Sequence, residues 1–191
     1  NNAMDVIDYI EIATLGDALD FGNLATADMR GSAAGDGKRG IYIAGNQAIP
    51  SGTSQNQFIT IASKGNGTNF GSLQKTRQYT ASSANSTRMV IGGGSISSPV
   101  HSDSIETYVI QSLGNSVEFG NLTADRYHFA SAATQTRAVW GGGSDGSTDN
   151  YNLIEYITIS TGGSAIDFGD LTVGRYSCSG CSDSHGGLGG F

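Results

Sequence analysis

The chain has 191 residues, of which 29 are Gly, only 2 are Pro and 14% are charged, and its formal net charge is −7. Its β-branched and aromatic residues are too frequent for a disordered linker, and its glycines lack the every-third spacing of collagen. The acidic balance argues against nucleic acid or an anionic membrane surface as a partner, and no apolar run is long enough to span a membrane. The first residue is Asn1 rather than Met, so we expect a fragment or a processed product.

The predicted elements begin with a strand over residues 7–12, a turn at Gly16 and a second strand around Phe21. A stretch of small residues follows, and then a strand over residues 39–45 that ends in glycine. The same elements recur with a period of 49 residues, which is marked by Phe21, Phe70, Phe119 and Phe168 and by Leu24, Leu73, Leu122 and Leu171. Four copies of one repeat therefore fill the chain.

Each copy predicts four short strands. In the later copies the strand rich in β-branched residues lies at 57–61, 105–110 and 154–159, the small-residue strand at 77–84 and 126–133, and the glycine-ended strand at 88–94 and 137–143. The intervals are too short for crossover helices, so we expect hairpins and antiparallel sheets. In the strand over 154–159, apolar side chains occupy both faces, which is typical of a sheet that packs against a neighbour on each side.

Repeats of this length with four strands each are typical of β-propeller blades. We therefore predict an all-β fold, a β-propeller of four-stranded antiparallel blades with the small-residue strand innermost. A single domain over 1–191 would hold blades at approximately 25–73, 74–122 and 123–171 and a fourth blade shared between 1–24 and 175–191. Pairing the N-terminal with the C-terminal strands would close four blades into a ring. The alternative is an arc of a larger ring that another copy completes.

An arginine opens the small-residue strand at Arg77, Arg126 and Arg175, and glycine clusters around Gly93 and Gly142 end the next strand. In these features the whole chain resembles the kelch repeat, although Phe stands where kelch blades usually carry an outermost Trp. Asp28 replaces the first strand-opening arginine. The motifs YITI, DFG and SDSHGGLG make the chain similar to kelch-like arrays in structural and tail-fibre proteins of tailed bacteriophages, marine ones included. The resemblance implies a virion-surface or extracellular protein whose partners are other virion subunits, with oligomers formed through assembly, and host-surface polysaccharide.

The sequence offers no set of residues for catalysis, and we predict a protein without catalytic residues, metal or cofactor. His101, His128 and His185 lie at different points of the repeat, so we expect no common site to gather them. Some kelch propellers are copper oxidases, but the ligand set of that chemistry has no match here. Cys178 and Cys181 replace small residues of an inner strand, and we expect buried structural thiols rather than redox or zinc ligands.

Two further repeated features have a structural and a functional interpretation. The repeated arginines are either a ring of anion-binding groups or structural groups that satisfy backbone carbonyls and carboxylates. We favour the structural role, with Asp20, Glu118 and Asp167 as candidate partners. Trp140, the single Trp, is expected in the core rather than against a sugar ring.

Function is expected in the variable loops at 46–55, 95–104 and 144–152, which should emerge on one side of the ring. The candidate ligand-binding residues are Asp145, Ser147, Asp149, Asn150, Tyr151 and His101. Four of them, Asp145 to Asn150, could instead hold calcium, although a solvated loop is the simpler interpretation. We predict a non-enzymatic adhesion or decoration module, with an architectural docking module as the alternative and a carbohydrate-active or oxidative enzyme as the less favoured one.

Overall fold

The computed structural model describes residues 3–43, 45, 55–97, 100–147 and 150–182, and the regular elements among them are β-strands. None of the described residues belongs to a helix long and apolar enough to cross a membrane. Asp149, His185, most of the 46–55 loop and the predicted second strand of the shared blade lie outside the described residues. The strands are β1 (Met4–Tyr9), β2 (Leu19–Asp28), β3 (Ser32–Gly35), β4 (Arg39–Ile43), β5 (Gln55–Thr60), β6 (Thr68–Ser72), β7 (Ala81–Ala84), β8 (Arg88–Gly92), β9 (Ser95–Ser97), β10 (Val100–His101), β11 (Ser104–Val109), β12 (Val117–Asn121), β13 (Ala130–Ala133), β14 (Arg137–Gly141), β15 (Leu153–Thr158) and β16 (Ile166–Asp170).

Twelve of these strands form three four-stranded antiparallel sheets with the orders β3-β4-β5-β6, β7-β8-β11-β12 and β13-β14-β15-β16. Strands β1 and β2 form a two-stranded sheet, and β9 and β10 form a small hairpin in the loop between β8 and β11. The predicted all-β fold with antiparallel sheets is therefore confirmed. In every four-stranded sheet the small-residue strand is at one edge and the strand with the repeated Phe is at the other.

The small-residue strands of successive sheets lie beside one another. Ser82 Oγ donates a hydrogen bond to Ser32 Oγ over 3.0 Å, and Ser131 Oγ donates to the Ser82 carbonyl over 2.7 Å. Alanine and serine allow this close approach because larger side chains would force the strands apart. The three sheets therefore meet at their small-residue strands.

Apolar side chains fill the spaces between neighbouring sheets. One cluster, including Ile41, Phe70 and Tyr108, lies between the first and second four-stranded sheets, and another, including Phe119 and Trp140, lies between the second and third. The Phe70 and Tyr108 rings meet edge to face at 5.2 Å. Trp140 is fully buried and donates its indole N–H to the Ala81 carbonyl over 3.2 Å, which confirms its predicted place in the core. The second sheet has apolar residues on both faces because it packs against a sheet on each side.

The Phe-Gly motif joins each sheet to the next one. The amide of Gly65 donates to the Phe21 carbonyl over 2.9 Å, and the same bond recurs between Gly114 and Phe70 and between Gly163 and Phe119. A Cβ on Gly71 would overlap the backbone of Gly114. Glycine follows the repeated Phe because the turn of the next sheet packs against the backbone there.

Two details differ from the sequence predictions. The small-residue strands begin at Ala81 and Ala130 rather than at Arg77 and Arg126, because a residue in left-handed conformation interrupts the chain between them. The described residues also form no closed ring, since no strand pairing joins β1 or β2 to residues 175–182.

Candidate functional site

Two of the strand-opening arginines, Arg77 and Arg126, form buried ion pairs within their own sheets. Arg77 donates to Glu106 over 2.6 Å and also to the carbonyls of Gly93 and Ser104, each over 2.8 Å. Arg126 makes the equivalent contacts with Glu155 and with the Gly142 carbonyl. These guanidiniums are buried and directed at protein atoms, so they are not available as anion-binding groups.

The carboxylate partners are not the predicted ones. Glu106 and Glu155 lie on the third strand of each sheet, whereas Glu118 and Asp167 lie on the outer strand and Asp20 is exposed on β2. The second oxygen of Glu106 accepts the Gln74 amide over 3.0 Å, and that of Glu155 accepts the Thr123 amide over 2.8 Å. Each buried charge therefore has several partners, as a buried ion pair requires.

Four residues that are not glycine adopt a left-handed backbone at equivalent places in the four copies, each just before a small-residue segment. Their φ angles are 64° at Arg30, 57° at Tyr79, 56° at His128 and 56° at Ser177. The Tyr79 amide donates to the Arg30 carbonyl over 2.9 Å, His128 to Tyr79 over 3.4 Å, and Ser177 to His128 over 2.7 Å. This conformation costs about 1–3 kcal/mol per residue, and bonds between neighbouring copies hold it.

The left-handed turns place aromatic side chains next to one another on one face of the molecule. We call Tyr79, Tyr127, His128 and Tyr176 the aromatic face. The His128 ring lies 3.8 Å from Tyr79, 4.9 Å from Tyr127 and 6.4 Å from Tyr176, measured between ring centroids. Tyr79, Tyr127 and His128 are half-buried, and Tyr176 is 55% exposed. The result is a continuous aromatic surface that spans three copies of the repeat.

Polar groups border the aromatic face. The Arg30 guanidinium lies over the Tyr79 ring at 5.3 Å and donates to Gln78 Oε1 over 3.1 Å. Burial and the neighbouring Arg30 charge lower the pKa of His128 from its usual value of 6.5. His128 is therefore neutral at neutral pH, with one ring nitrogen as a donor and the other as an acceptor.

The loops lie on this same face. His101, which ends β10, stacks on Tyr127 with ring centroids 4.4 Å apart and an angle of 15° between the planes. Both ring nitrogens of His101 are buried without a hydrogen-bond partner among the described residues. The backbone of Gly146 lies against the His101 ring, so the 144–152 loop reaches the same place.

The other candidate loop residues make mainly local contacts. The Ser147 amide donates to Asp145 Oδ1 over 2.8 Å, and hydrogen bonds from the Ser147 side chain and from this amide lower the pKa of Asp145. Asn150 pairs with Ser144, and the Tyr151 amide donates to the Gly143 carbonyl over 2.8 Å. Burial raises the pKa of Tyr151. The described part of the chain contains no group of three or more His, Cys, Asp or Glu residues able to hold a metal ion.

Two sequence predictions about side-chain placement are wrong. His101 and His128 lie in one cluster, since both contact the Tyr127 ring, although they occupy different points of the repeat. Tyr127, the residue before the left-handed His128, meets the loop of the previous copy, and spacing along the chain does not reveal this contact. Cys178 is only half-buried and Cys181 is exposed, so they are not the buried thiols that we expected.

Equivalent residues of all four copies line a cavity of about 190 Å³ between the small-residue segments. Ala33, Ser82, Ser131 and Gly180 stand at the same point of the repeat, and Cys181 and Ser182 lie beside Gly180. The segment over 180–182 thus occupies the inner position of a fourth copy. Its contact with the third copy includes a hydrogen bond from the Ala133 amide to Ser182 Oγ over 3.1 Å.

The chain matches no protein-family model and no curated protein. It is similar to a solved structure described as that of YjhT, with a TM-score of 0.70 and 7% sequence identity. The match covers 86% of this chain and 62% of that chain, so this chain spans less than two thirds of that protein. At this identity the similarity shows the arrangement of the sheets alone.

Proposed function

We propose that this chain is a non-enzymatic, kelch-like β-propeller module of a bacteriophage virion, which binds host-surface polysaccharide through the aromatic face and the loops beside it. Four blades form its ring, and the protein is exposed at the virion surface with other virion subunits as its partners. The aromatic face is the observation that carries the binding role. The phage origin rests on the resemblance of the repeat motifs.

The aromatic face suits a sugar ligand. A sugar ring has apolar C–H faces that pack on aromatic rings and hydroxyls that need hydrogen-bond partners at the edge. Tyr127, His128 and Tyr176 offer adjacent rings, and their hydroxyl and imidazole groups supply donors and acceptors. The His101 ring, which stacks on Tyr127, extends this aromatic surface at its edge.

The strained backbone also favours a binding role. A residue with positive φ that is not glycine is uncommon, and such residues concentrate at sites where geometry must be fixed in advance. Here the strain recurs at Tyr79 and His128, whose side chains form the aromatic face. Fixing these rings before binding reduces the entropy lost when a ligand associates.

The proposed four-bladed ring is supported by the cavity that residues of all four copies line together. Residue Ala33 of the first copy and Gly180 of the last copy border the same space, as expected when four inner strands surround one axis. The alternative is an arc of a larger ring, and the 62% share of the longer YjhT chain is compatible with it.

Binding is tested by screening the purified chain against an array of bacterial capsular and lipopolysaccharide glycans, followed by calorimetry on the best polysaccharide. Replacing Tyr176 by Ala should weaken binding about 10-fold, and Tyr127→Ala should weaken it more because the stack with His101 is also lost. Tyr156→Ala is the matched control, since that half-buried ring packs on Arg137 and Phe168 at the side of a sheet. The control should bind as the parent does.

A chain that binds no glycan on the array, or whose binding is equally reduced by Tyr156→Ala, contradicts the adhesion proposal. Binding to isolated virion subunits without any glycan binding would favour the architectural alternative. Cleavage of a bound polysaccharide, seen as a fall in its molecular mass, would contradict the non-enzymatic assignment.

A further inference from the structure

The outer side of the last four-stranded sheet is uncovered. Phe70 and Phe119 are 2% and 9% exposed, whereas the equivalent Phe168 is 58% exposed. The first two are covered because the turn of the following sheet donates an amide to their carbonyls. A Cβ on Gly120 would overlap the Gly163 backbone, whereas no atom lies within 4 Å of that position at Gly169. The last sheet thus has the same docking surface as the others, without an occupant among the described residues.

The turn between β1 and β2 is equivalent to the turns that cover the other sheets, but no sheet packs against it among the described residues. Its Gly16 corresponds to Gly65, Gly114 and Gly163, each of which donates its amide to the repeated Phe of the sheet before it. Among the described residues no backbone carbonyl accepts the Gly16 amide, and the side chains of Ile12 and Leu15 are exposed. Within the described ranges there is therefore one docking surface without a turn and one turn without a docking surface.

Charge complementarity links the same two parts of the chain. In the two buried ion pairs the glutamate follows its arginine by 29 residues. For Arg175 the same spacing of 29 residues falls outside the 191 residues of the sequence. In a ring of four copies, the equivalent of Glu106 and Glu155 is Asp8 on β1. Arg175 and Asp8 are both exposed, and the described residues contain no ion pair for either of them.

The first copy lacks the ion pair, and the residues that replace it support the pairing of Arg175 with Asp8. Asp28 stands at the arginine position and Gln57 at the glutamate position, so this copy lacks both charges together. Gln57 keeps only the contact with a backbone amide that the glutamates make, since its Oε1 accepts the Ala25 amide over 2.6 Å. The position of Glu106 and Glu155 therefore holds an acid in each copy where a four-membered ring would place an arginine beside it. Asp8, which such a ring would place beside Arg175, is also an acid.

We propose that the β1–β2 hairpin of this chain docks on the outer side of the last sheet, with the Gly16 amide donating to the Phe168 carbonyl and Arg175 paired with Asp8. The proposal rests on the four-bladed ring proposed above and assigns the residues that close it. Docking buries Phe168 as Phe70 and Phe119 are buried. It makes the last interface equivalent to the other three.

Amide hydrogen exchange of the whole chain, followed by NMR, tests the docking without any substitution. The Gly16 amide should exchange within about 10-fold of the rate at Gly65, Gly114 and Gly163, because all four would donate equivalent hydrogen bonds. Light scattering on the same sample should give the mass of one chain. Exchange of Gly16 at the rate of an unfolded peptide overturns the proposal. A stable dimer also overturns it, since a second copy would then supply the turn.

A double-mutant cycle tests the ion pair. Arg175→Met should lower the melting temperature by about 5 °C or more, and Asp8→Asn should change it little once Arg175 is replaced. Asp20→Asn is the control on the same hairpin and should change nothing. Equal effects of Asp8→Asn in both backgrounds would overturn the pairing. These readouts need no polysaccharide, so a chain that binds glycan while Gly16 exchanges freely would overturn the docking and leave the proposed function standing.

Discussion

The buried pair between Arg126 and Glu155 offers the most quantitative prediction. Replacing Arg126 by Met keeps an apolar chain of similar length but removes the guanidinium. The Glu155 carboxylate then keeps one hydrogen bond, to the Thr123 amide over 2.8 Å, and loses its counter-charge in a site with no solvent exposure. The Gly142 carbonyl also loses its donor at 2.7 Å.

The expected cost follows from these lost partners. Removing one member of a buried ion pair costs about 3–5 kcal/mol, because the remaining charge stays desolvated. With a denaturant slope of about 2 kcal/mol per molar urea, the unfolding midpoint should fall by about 2 M. Trp140 reports the transition directly, since it is the single Trp and is fully buried between the second and third sheets.

Two further variants make the result decisive. Arg137→Met is the matched control, because the Arg137 guanidinium is exposed over the Tyr156 ring at 4.5 Å and should contribute less than about 1 kcal/mol. The double variant of Arg126→Met and Glu155→Gln should be more stable than Arg126→Met alone, since the unpaired charge is gone. A loss below about 1 kcal/mol for Arg126→Met, or a double variant with the sum of both single losses, would refute the reasoning.

Three other variants test separate parts of the account by urea unfolding. Gly120→Ala should cost about 2–4 kcal/mol because its Cβ overlaps the Gly163 backbone, and a neutral result would contradict the close approach of the sheets. Asp28→Arg alone should lower the free energy of unfolding, and adding Gln57→Glu should restore a few kcal/mol of it by completing the arginine–glutamate ion pair. No recovery would show that the first copy cannot hold this ion pair. Burial lowers the pKa of His128, so its contribution to stability is present above about pH 6.5 and is lost as the pH falls through the lower folded value. His128→Gln should flatten this dependence, and an unchanged slope between pH 7 and pH 5 would contradict it.

The repeat made the architecture predictable. The 49-residue spacing of Phe21, Phe70, Phe119 and Phe168 fixes the number of copies, and the short intervals require hairpins. The strand order within each sheet follows, because Ala and Ser suit the crowded inner edge. The structure adds the reason for the glycine after each Phe, which is contact with the next turn.

The candidate site was much less predictable. The left-handed backbone at Tyr79 and His128 has no marker in residue type, since glycine or asparagine would be the usual choice. Contacts between copies bring His101 onto Tyr127, and a repeat alignment places them at unrelated positions. The charged partners of the arginines were missed for a similar reason, although the matched loss of charge at Asp28 and Gln57 was a usable signal in the sequence.

The central claim is that the aromatic face binds polysaccharide. It is tested most directly by mapping amide and side-chain NMR shifts of the whole chain as a binding polysaccharide is added. The account predicts that the largest changes occur at Tyr127, His128 and Tyr176, with smaller ones at His101. Changes confined to the sides of the sheets, or none at saturating polysaccharide, would contradict it.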